Sequence, residues 1–324
     1  MDLLQAAEPD NHNMQAVTPS RALEILLTPE SRIQSLLSLS YGMRAARGLS
    51  DEISFCCIIN AKSGDCTENC SFCAQSSVSS APHKSYLMMD AHIILSARKK
   101  AGEHCAGHFS IVTSGGSPAE KELAYICEII SRGEDEKPFW CASLGILSLR
   151  QLRLLKDAGL RRYHHNLETE RTYFSEICTT HTWQDRANTV RMAKVAGLEI
   201  CSGGIIGLGE SLHQRVSMAF QLRDLEVDSI ALNFLIPLDG TEISPRKEHI
   251  SPVDMLKTVI MFGMVCPDSE LRLCAGRGML GEYEKEMFRA GITGIMSGDL
   301  LTTSGSRFQD DLELLEAAGR GPAL

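Results

Sequence analysis

The chain has 324 residues, 44% of them hydrophobic and 23% charged, a length and balance that suit one large soluble α/β unit and exclude both a minimal domain and a disordered chain. A net charge of -9 argues against a nucleic-acid partner, because phosphate binding relies on a basic face, and no apolar run reaches the roughly 18 to 20 residues of a membrane span. The first 20 residues lack a basic flank followed by an apolar stretch, so the expected location is cytoplasmic, where twelve cysteines point to metal binding or catalysis and not to disulfides.

Residues 1 to about 20 are polar and aperiodic and read as a tail. From Arg21 to about Gly48, Leu23, Ile25, Leu26, Ile33, Leu36 and Leu37 recur at helical spacing, with Pro29 dividing two short helices. Residues 1–50 are therefore expected to be a tail and helical cap, and 51–324 the main domain. Short β-branched runs then alternate with amphipathic stretches. The expected strands are 53–60, 108–115, 139–145, 161–168, 198–207, 229–237, 271–278 and 294–298. The helices between them are expected over 88–101, 120–131, 149–158, 183–196, 212–225, 252–265 and 282–290, with a last one at 309–317. Eight such βα units close as a TIM-type (β/α)8 barrel, whose active sites sit at the C-terminal ends of the strands.

The first of those ends carries DCTENCSFC, with Cys66, Cys70 and Cys73 spaced C-x3-C-x2-C. Three thiolates on one short loop can wrap a metal centre but leave a tetrahedral site one ligand short. Structural zinc would need a fourth cysteine or histidine, for which His83 is the nearby candidate; unligated thiols are the other plain reading. An open position is instead the mark of a catalytic centre.

With Phe72 before the last cysteine, this loop resembles the signature of radical S-adenosylmethionine (SAM) enzymes. The resemblance implies a 4Fe-4S cluster on Cys66, Cys70 and Cys73, whose fourth iron takes the amino and carboxylate groups of SAM. CAQSS, YHHNLET, CSGGIIGLGE, LNFLIPLDGT, LRLCAGRG and GDLLTTSG follow in order over roughly residues 50–310 and resemble the biotin synthase family. That resemblance implies a homodimer that inserts sulfur between C6 and C9 of dethiobiotin, consumes two SAM per biotin, and receives electrons from a donor such as flavodoxin or ferredoxin. It further implies that Ser114, Gly115 and Gly116 lie near the methionyl amino group, that Arg186 meets the methionyl carboxylate, and that Asn166 and Glu168 take the ribose hydroxyls. Asn166 also falls near dethiobiotin, and Asn233 matches a residue that hydrogen-bonds its ureido ring. His164 departs from an asparagine of familiar members and can still donate to a ureido or carboxylate group. For any one of these polar residues alone, a satisfied core hydrogen bond is the competing explanation.

The common form of the family holds a second, 2Fe-2S cluster on three cysteines and one arginine. Cys141, Cys201 and Arg272 match three of those ligands, but the fourth position is Ser110, and a hydroxyl is a poor substitute for a thiolate on iron. Cys56, Cys141, Cys201 and Cys274 fall on alternate expected strands, as the side chains of one barrel layer do. The expectation is a cysteine-richer auxiliary cluster, four-iron in preference to 2Fe-2S, on Cys56, Cys141 and Cys201 with Cys274 or Arg272 near the last iron. Buried apolar packing is the alternative for Cys56 and Cys274, and is the expectation for Cys105, Cys127, Cys178 and Cys266 and for the Met-rich runs at 87–89 and 255–264. Cys57 has the opposite parity to Cys56 and should face the helices. Two rivals share the loop: a related barrel enzyme of the hydrogenase-maturation or methylornithine type, and a noncatalytic iron-sulfur scaffold or sensor.

Overall fold

Strand β1 (Glu52–Lys62) pairs in parallel with both β2 (Ala106–Thr113) and β8 (Gly294–Met296), which closes the sheet. Between them run β3 (Phe139–Ser143), β4 (Arg162–His164), β5 (Glu199–Ile206), β6 (Ser229–Phe234) and β7 (Glu270–Leu273), each parallel to its neighbour. The chain thus forms the expected eight-stranded parallel barrel. This computed structural model describes residues 17–45, 52–64, 66–133, 136–243, 250–301 and 305–323. The expected tail up to residue 16, Asp65 of the cysteine loop and Thr302 to Ser304 of GDLLTTSG lie outside the described residues.

The surrounding helices are α3 (Ala91–Glu103), α4 (Glu120–Ser131), α5 (Leu149–Asp157), α6 (Trp183–Val195), α7 (Leu212–Asp224), α8 (Pro252–Val265), α9 (Glu286–Ala290) and α10 (Phe308–Ala317). Their starts are set by short polar signals directly after the catalytic-end loops. Ser148, Thr182 and Ser211 each accept the N–H three residues on, and Gln151, Asp185 and Gln214 accept the cap's own N–H in return. A helix expected over 282–290 is instead a 3-10 segment, Arg277–Tyr283, followed by α9. Gly281, at φ 54° and ψ -124°, kinks the 3-10 segment itself, so no single helix runs through it.

Before the barrel, α1 (Pro19–Leu26) and α2 (Ile33–Ala45) pack over α7, α8 and α9. This answers a peculiarity of α8, whose sequence PVDMLKTVIMFGMV is apolar on every face and therefore needs cover on every side. Met255, Met261 and Met264 are buried there as packing. A ninth strand that the sequence did not signal, β9 (Gly321–Pro322), adds to the start of β1 at Glu52 and Ile53.

Strand lengths decide what the interior can hold. β4 is only three residues because the chain leaves the ladder at His165 and bridges to β5 again at Glu168, whose φ is 67°. Gly204 makes this possible: a Cβ there would come within 2.3 Å of the Glu168 carbonyl oxygen. Gly203 is equally tight against β6, where a Cβ would sit 1.9 Å from the Ala231 carbonyl oxygen.

Candidate active site

The barrel interior encloses a cavity of about 320 Å³ that opens at the C-terminal ends of the strands. Cys56, Cys141, Cys201 and Cys274 all line it, together with Arg272, Ser110 and His108. The register explains the grouping: Cys56 stands beside His108, Ser110 beside Cys141, Cys141 beside Arg162, and His164 beside Cys201. Cys57 turns the other way and packs against the hydrophobic core, as its parity requires.

Below the cysteines lies a charged floor. Glu270 Oε2 accepts hydrogen bonds from Arg162 Nη1 at 2.9 Å and Arg272 Nη2 at 2.7 Å, while Arg272 Nε donates to Ser229 Oγ at 3.0 Å. Both guanidiniums are buried, and burial alone would lift the Glu270 carboxyl, but Arg272 and Arg162 outweigh it and hold the group down to about 2. Burial pushes the Cys56 thiol up, with Arg272 pulling against it, and pushes Cys141 well up. Cys201 goes the other way: burial would raise it, yet the charge and hydrogen bond of His164 bring it down to about 7.

Several polar atoms around this end are buried without a hydrogen-bond partner among the described residues: Arg272 Nη1, Ser110 Oγ and His108 Nδ1. Burial and the Arg162 and Arg272 charges push the His108 ring down to about 2, so it is neutral. Buried polar groups are ordinarily satisfied, so unpartnered ones beside four thiols fit an additional electron-rich group within the same cavity. A sulfide-bridged iron cluster matches that donor set in chemistry.

The three-cysteine loop forms the opposite end. Cys73 lines the cavity, Cys66 is half-buried, and Cys70 is buried. The loop is pinned at both ends by Gln75, whose Oε1 accepts from Ser63 Oγ at 3.0 Å and Gly64 N at 2.8 Å. Its middle is tied to the β4–α6 connection by Asn69, whose Oδ1 accepts from Thr179 N at 2.9 Å, and by Ser71 N donating to Ile177 O at 2.9 Å. That connection also carries Cys178, which the sequence offered only as core packing. Its Sγ lies 3.8 Å from Cys70 Sγ and 3.4 Å from His181 Nδ1. The Cys70 hydrogen bond and His181 hold Cys178 well below the usual thiol range, and Cys70 is raised in turn.

The remaining expected site residues divide between the cavity wall and the layer behind it. Asn166, Glu168, His164 and Asn233 line the cavity. Asn166 Nδ2 donates to Glu168 Oε2 at 3.3 Å, while its Oδ1 is buried without a partner among the described residues. Asn233 donates to Gly204 O at 3.2 Å and accepts from Ala275 N at 3.1 Å, which fixes the amide and leaves one N–H and one lone pair free. His164 is engaged with Cys201, a contact its expected substrate role did not include. Arg186 stands behind the wall and donates to Asn166 O at 3.0 Å, Glu168 Oε1 at 3.3 Å and His181 Nε2 at 2.9 Å. Ser114, Gly115 and Gly116 sit at the end of β2 outside the main lining. Ser114 Oγ donates to Gly64 O at 2.7 Å, and a Cβ on Gly116 would come within 2.5 Å of Glu68 Oε1.

The Radical SAM superfamily profile matches residues 62–222, and the Biotin and Thiamin Synthesis associated domain matches residues 231–320. The biotin synthase of Maridesulfovibrio salexigens is 43% identical over 310 residues, covering 95% of this chain and 94% of that protein. The biotin synthase of Acetivibrio thermocellus is 43% identical over 274 residues, covering 84% and 85%. Among solved structures, methylornithine synthase superposes with a TM-score of 0.82 at 16% identity, covering 96% of this chain and 95% of that one. At that identity the likeness shows the barrel fold alone. The similarity to the biotin synthases runs along nearly the whole chain, and the chain belongs to the biotin synthase family of radical SAM enzymes.

Proposed function

We infer that the protein inserts sulfur between C6 and C9 of dethiobiotin to form biotin, with SAM as the source of the hydrogen-abstracting radical. The observation that carries this reading is one cavity with a three-cysteine loop at one end and four cysteines with a buried arginine at the other. A 4Fe-4S cluster on Cys66, Cys70 and Cys73 would supply the electron that cleaves SAM, and an auxiliary cluster on Cys56, Cys141 and Cys201, with Cys274 or Arg272 at the last iron, would supply sulfur.

The chain's own residues prepare that chemistry. Arg186, pre-set by Glu168 and His181, offers a guanidinium to the methionyl carboxylate. Glu168 and Asn166 present acceptors to ribose hydroxyls, and the Ser114, Gly115 and Gly116 turn provides backbone for the methionyl amino group. Asn233 and Asn166 offer the urea-like ring of dethiobiotin one donor and one acceptor each. His164 is placed to orient the same substrate while holding Cys201 as a thiolate-competent ligand. Apolar walls from Ile58, Val112, Ile205 and Leu235 exclude water from a reactive carbon radical. The same reading takes residues 1–50 as tail and cap beside a 51–324 barrel. It further takes the protein as a cytoplasmic homodimer reduced by a flavodoxin- or ferredoxin-type donor.

The test is an anaerobic incubation of reconstituted protein with dethiobiotin, SAM and reductant. Biotin and 5'-deoxyadenosine are both expected. Release of 5'-deoxyadenosine without biotin would favour a different radical substrate; absence of both would favour a scaffold.

A further inference from the structure

Cys178 and His181 belong to neither proposed cluster, yet with Cys70 they bring three ligand atoms within 4.8 Å of one another. We propose that the cluster-free chain binds one tetrahedral divalent ion of the zinc class through Cys70, Cys178 and His181, an alternative occupant that excludes the 4Fe-4S cluster from the loop.

The spacing fits a single ion. Two thiolates at about 2.3 Å from a tetrahedral zinc stand about 3.8 Å apart, and a thiolate and an imidazole nitrogen about 3.5 Å apart. The observed separations are 3.8 Å for Cys70 Sγ to Cys178 Sγ and 3.4 Å for Cys178 Sγ to His181 Nδ1. The fourth position is left to a water: Glu68 Oε2 sits 2.6 Å from His181 Nδ1, closer than the about 3.3 Å that two N/O ligands of one tetrahedral zinc keep, and accepts a hydrogen bond from the ring in the ion-free chain. The site is also braced: Asn69 caps the 178–181 turn, and Cys178 itself is buried. A cubane holds its three cysteines around a far larger body, so Cys70 cannot serve both occupants at once.

Binding releases the thiol protons of the two cysteines to solvent. His181 Nε2 now accepts from Arg186 Nε at 2.9 Å, so the ring proton lies on Nδ1 toward Glu68. Ligation through Nδ1 moves that proton to Nε2, and Arg186 must give up its contact there. The ion would therefore displace the same guanidinium that the proposed function assigns to the SAM carboxylate. Two thiolates and a neutral imidazole around a divalent ion carry no net charge, so the site needs no further counter-ion.

Exclusion of the cluster rests on Cys70 being its ligand; zinc binding does not. The test uses the full-length cluster-free chain under anaerobic conditions. Crystals grown with zinc should show an anomalous peak at the zinc edge bonded to Cys178 Sγ and His181 Nδ1. In solution, Co(II) titration followed by its sulfur charge-transfer band should lose one equivalent, or weaken at least tenfold, in Cys178→Ala. The Cys66→Ala, Cys73→Ala double variant should keep that equivalent. A peak held by Cys66, Cys70 and Cys73 without Cys178, no peak at all, or unchanged Co(II) binding by Cys178→Ala would overturn the proposal. Carrying Cys70→Ala through both Co(II) binding and cluster reconstitution separates the two readings. Lost Co(II) with an intact cluster would retire the cluster assignment and leave the zinc site standing.

Discussion

Glu270 and Arg272 meet at 2.7 Å beneath the four cysteines, and the same carboxylate oxygen also holds Arg162 at 2.9 Å. One carboxylate thus keeps two buried guanidiniums aimed into a cavity lined by thiols. Replacing it with alanine should destabilise the fold by about 2 kcal/mol, below the roughly 3 to 5 kcal/mol of a wholly buried pair because the Glu270 side chain is 41% exposed. Urea denaturation of Glu270→Ala and Glu270→Gln checks this, with glutamine less affected. The pH dependence has a fixed sign. A carboxyl held down to about 2 in the folded chain stabilises it fully above the unfolded value of 4.5 and loses that contribution as pH falls through about 2. The stability gap between wild type and Glu270→Gln should therefore close across that window, and a constant gap would contradict the ion-pair account.

Gly204 lets β5 approach the left-handed turn at Glu168. Alanine there would push its Cβ to 2.3 Å from the Glu168 carbonyl oxygen, and backbone cannot yield as a side-chain tip can. Gly204→Ala is expected to cost about 3 kcal/mol and to weaken SAM binding, because Glu168 and the Arg186 it orients would both move. Thermal unfolding and equilibrium dialysis with SAM measure the two effects. A stable variant with unchanged SAM affinity would show that the turn does not position the site.

His164 pulls the buried Cys201 thiol down to about 7. In the cluster-free chain, thiolate absorbance should show one titration near that value, which His164→Gln moves up to the ordinary thiol range or beyond. Persistence of the low titration in the variant would assign it to another cysteine.

Much of this was legible in the sequence because barrels repeat a simple pattern. All eight strands overlap their expected ranges, and α4 and α8 match their expected limits, since Pro252 and the Ser251 cap mark the latter's start. Alternation alone placed Cys56 inward and Cys57 outward. Strand ends were harder. β4 stops three residues in because the chain turns through left-handed Glu168, a turn admitted by Gly204 on the next strand, over thirty residues away. Cys178 was missed for a similar reason. Within its own segment it reads as one buried thiol after Ile177, and only the folded loop brings Cys70, 108 residues earlier, against it. Nothing in local spacing shows that Ser114, Gly115, Gly116 and Arg186 stand behind the cavity wall, because that depth is set by how the loops pack.

One cavity is expected to hold two clusters, a SAM-binding one at the loop and a cysteine-rich one in place of the usual set interrupted at Ser110. Iron and acid-labile sulfide counted per chain after anaerobic reconstitution test this most directly. About eight irons are expected, falling by about four when Cys66, Cys70 and Cys73 are replaced, and by a separate four or so when Cys56 and Cys141 are. About six irons in the intact protein, unchanged by Cys56→Ala, would contradict it.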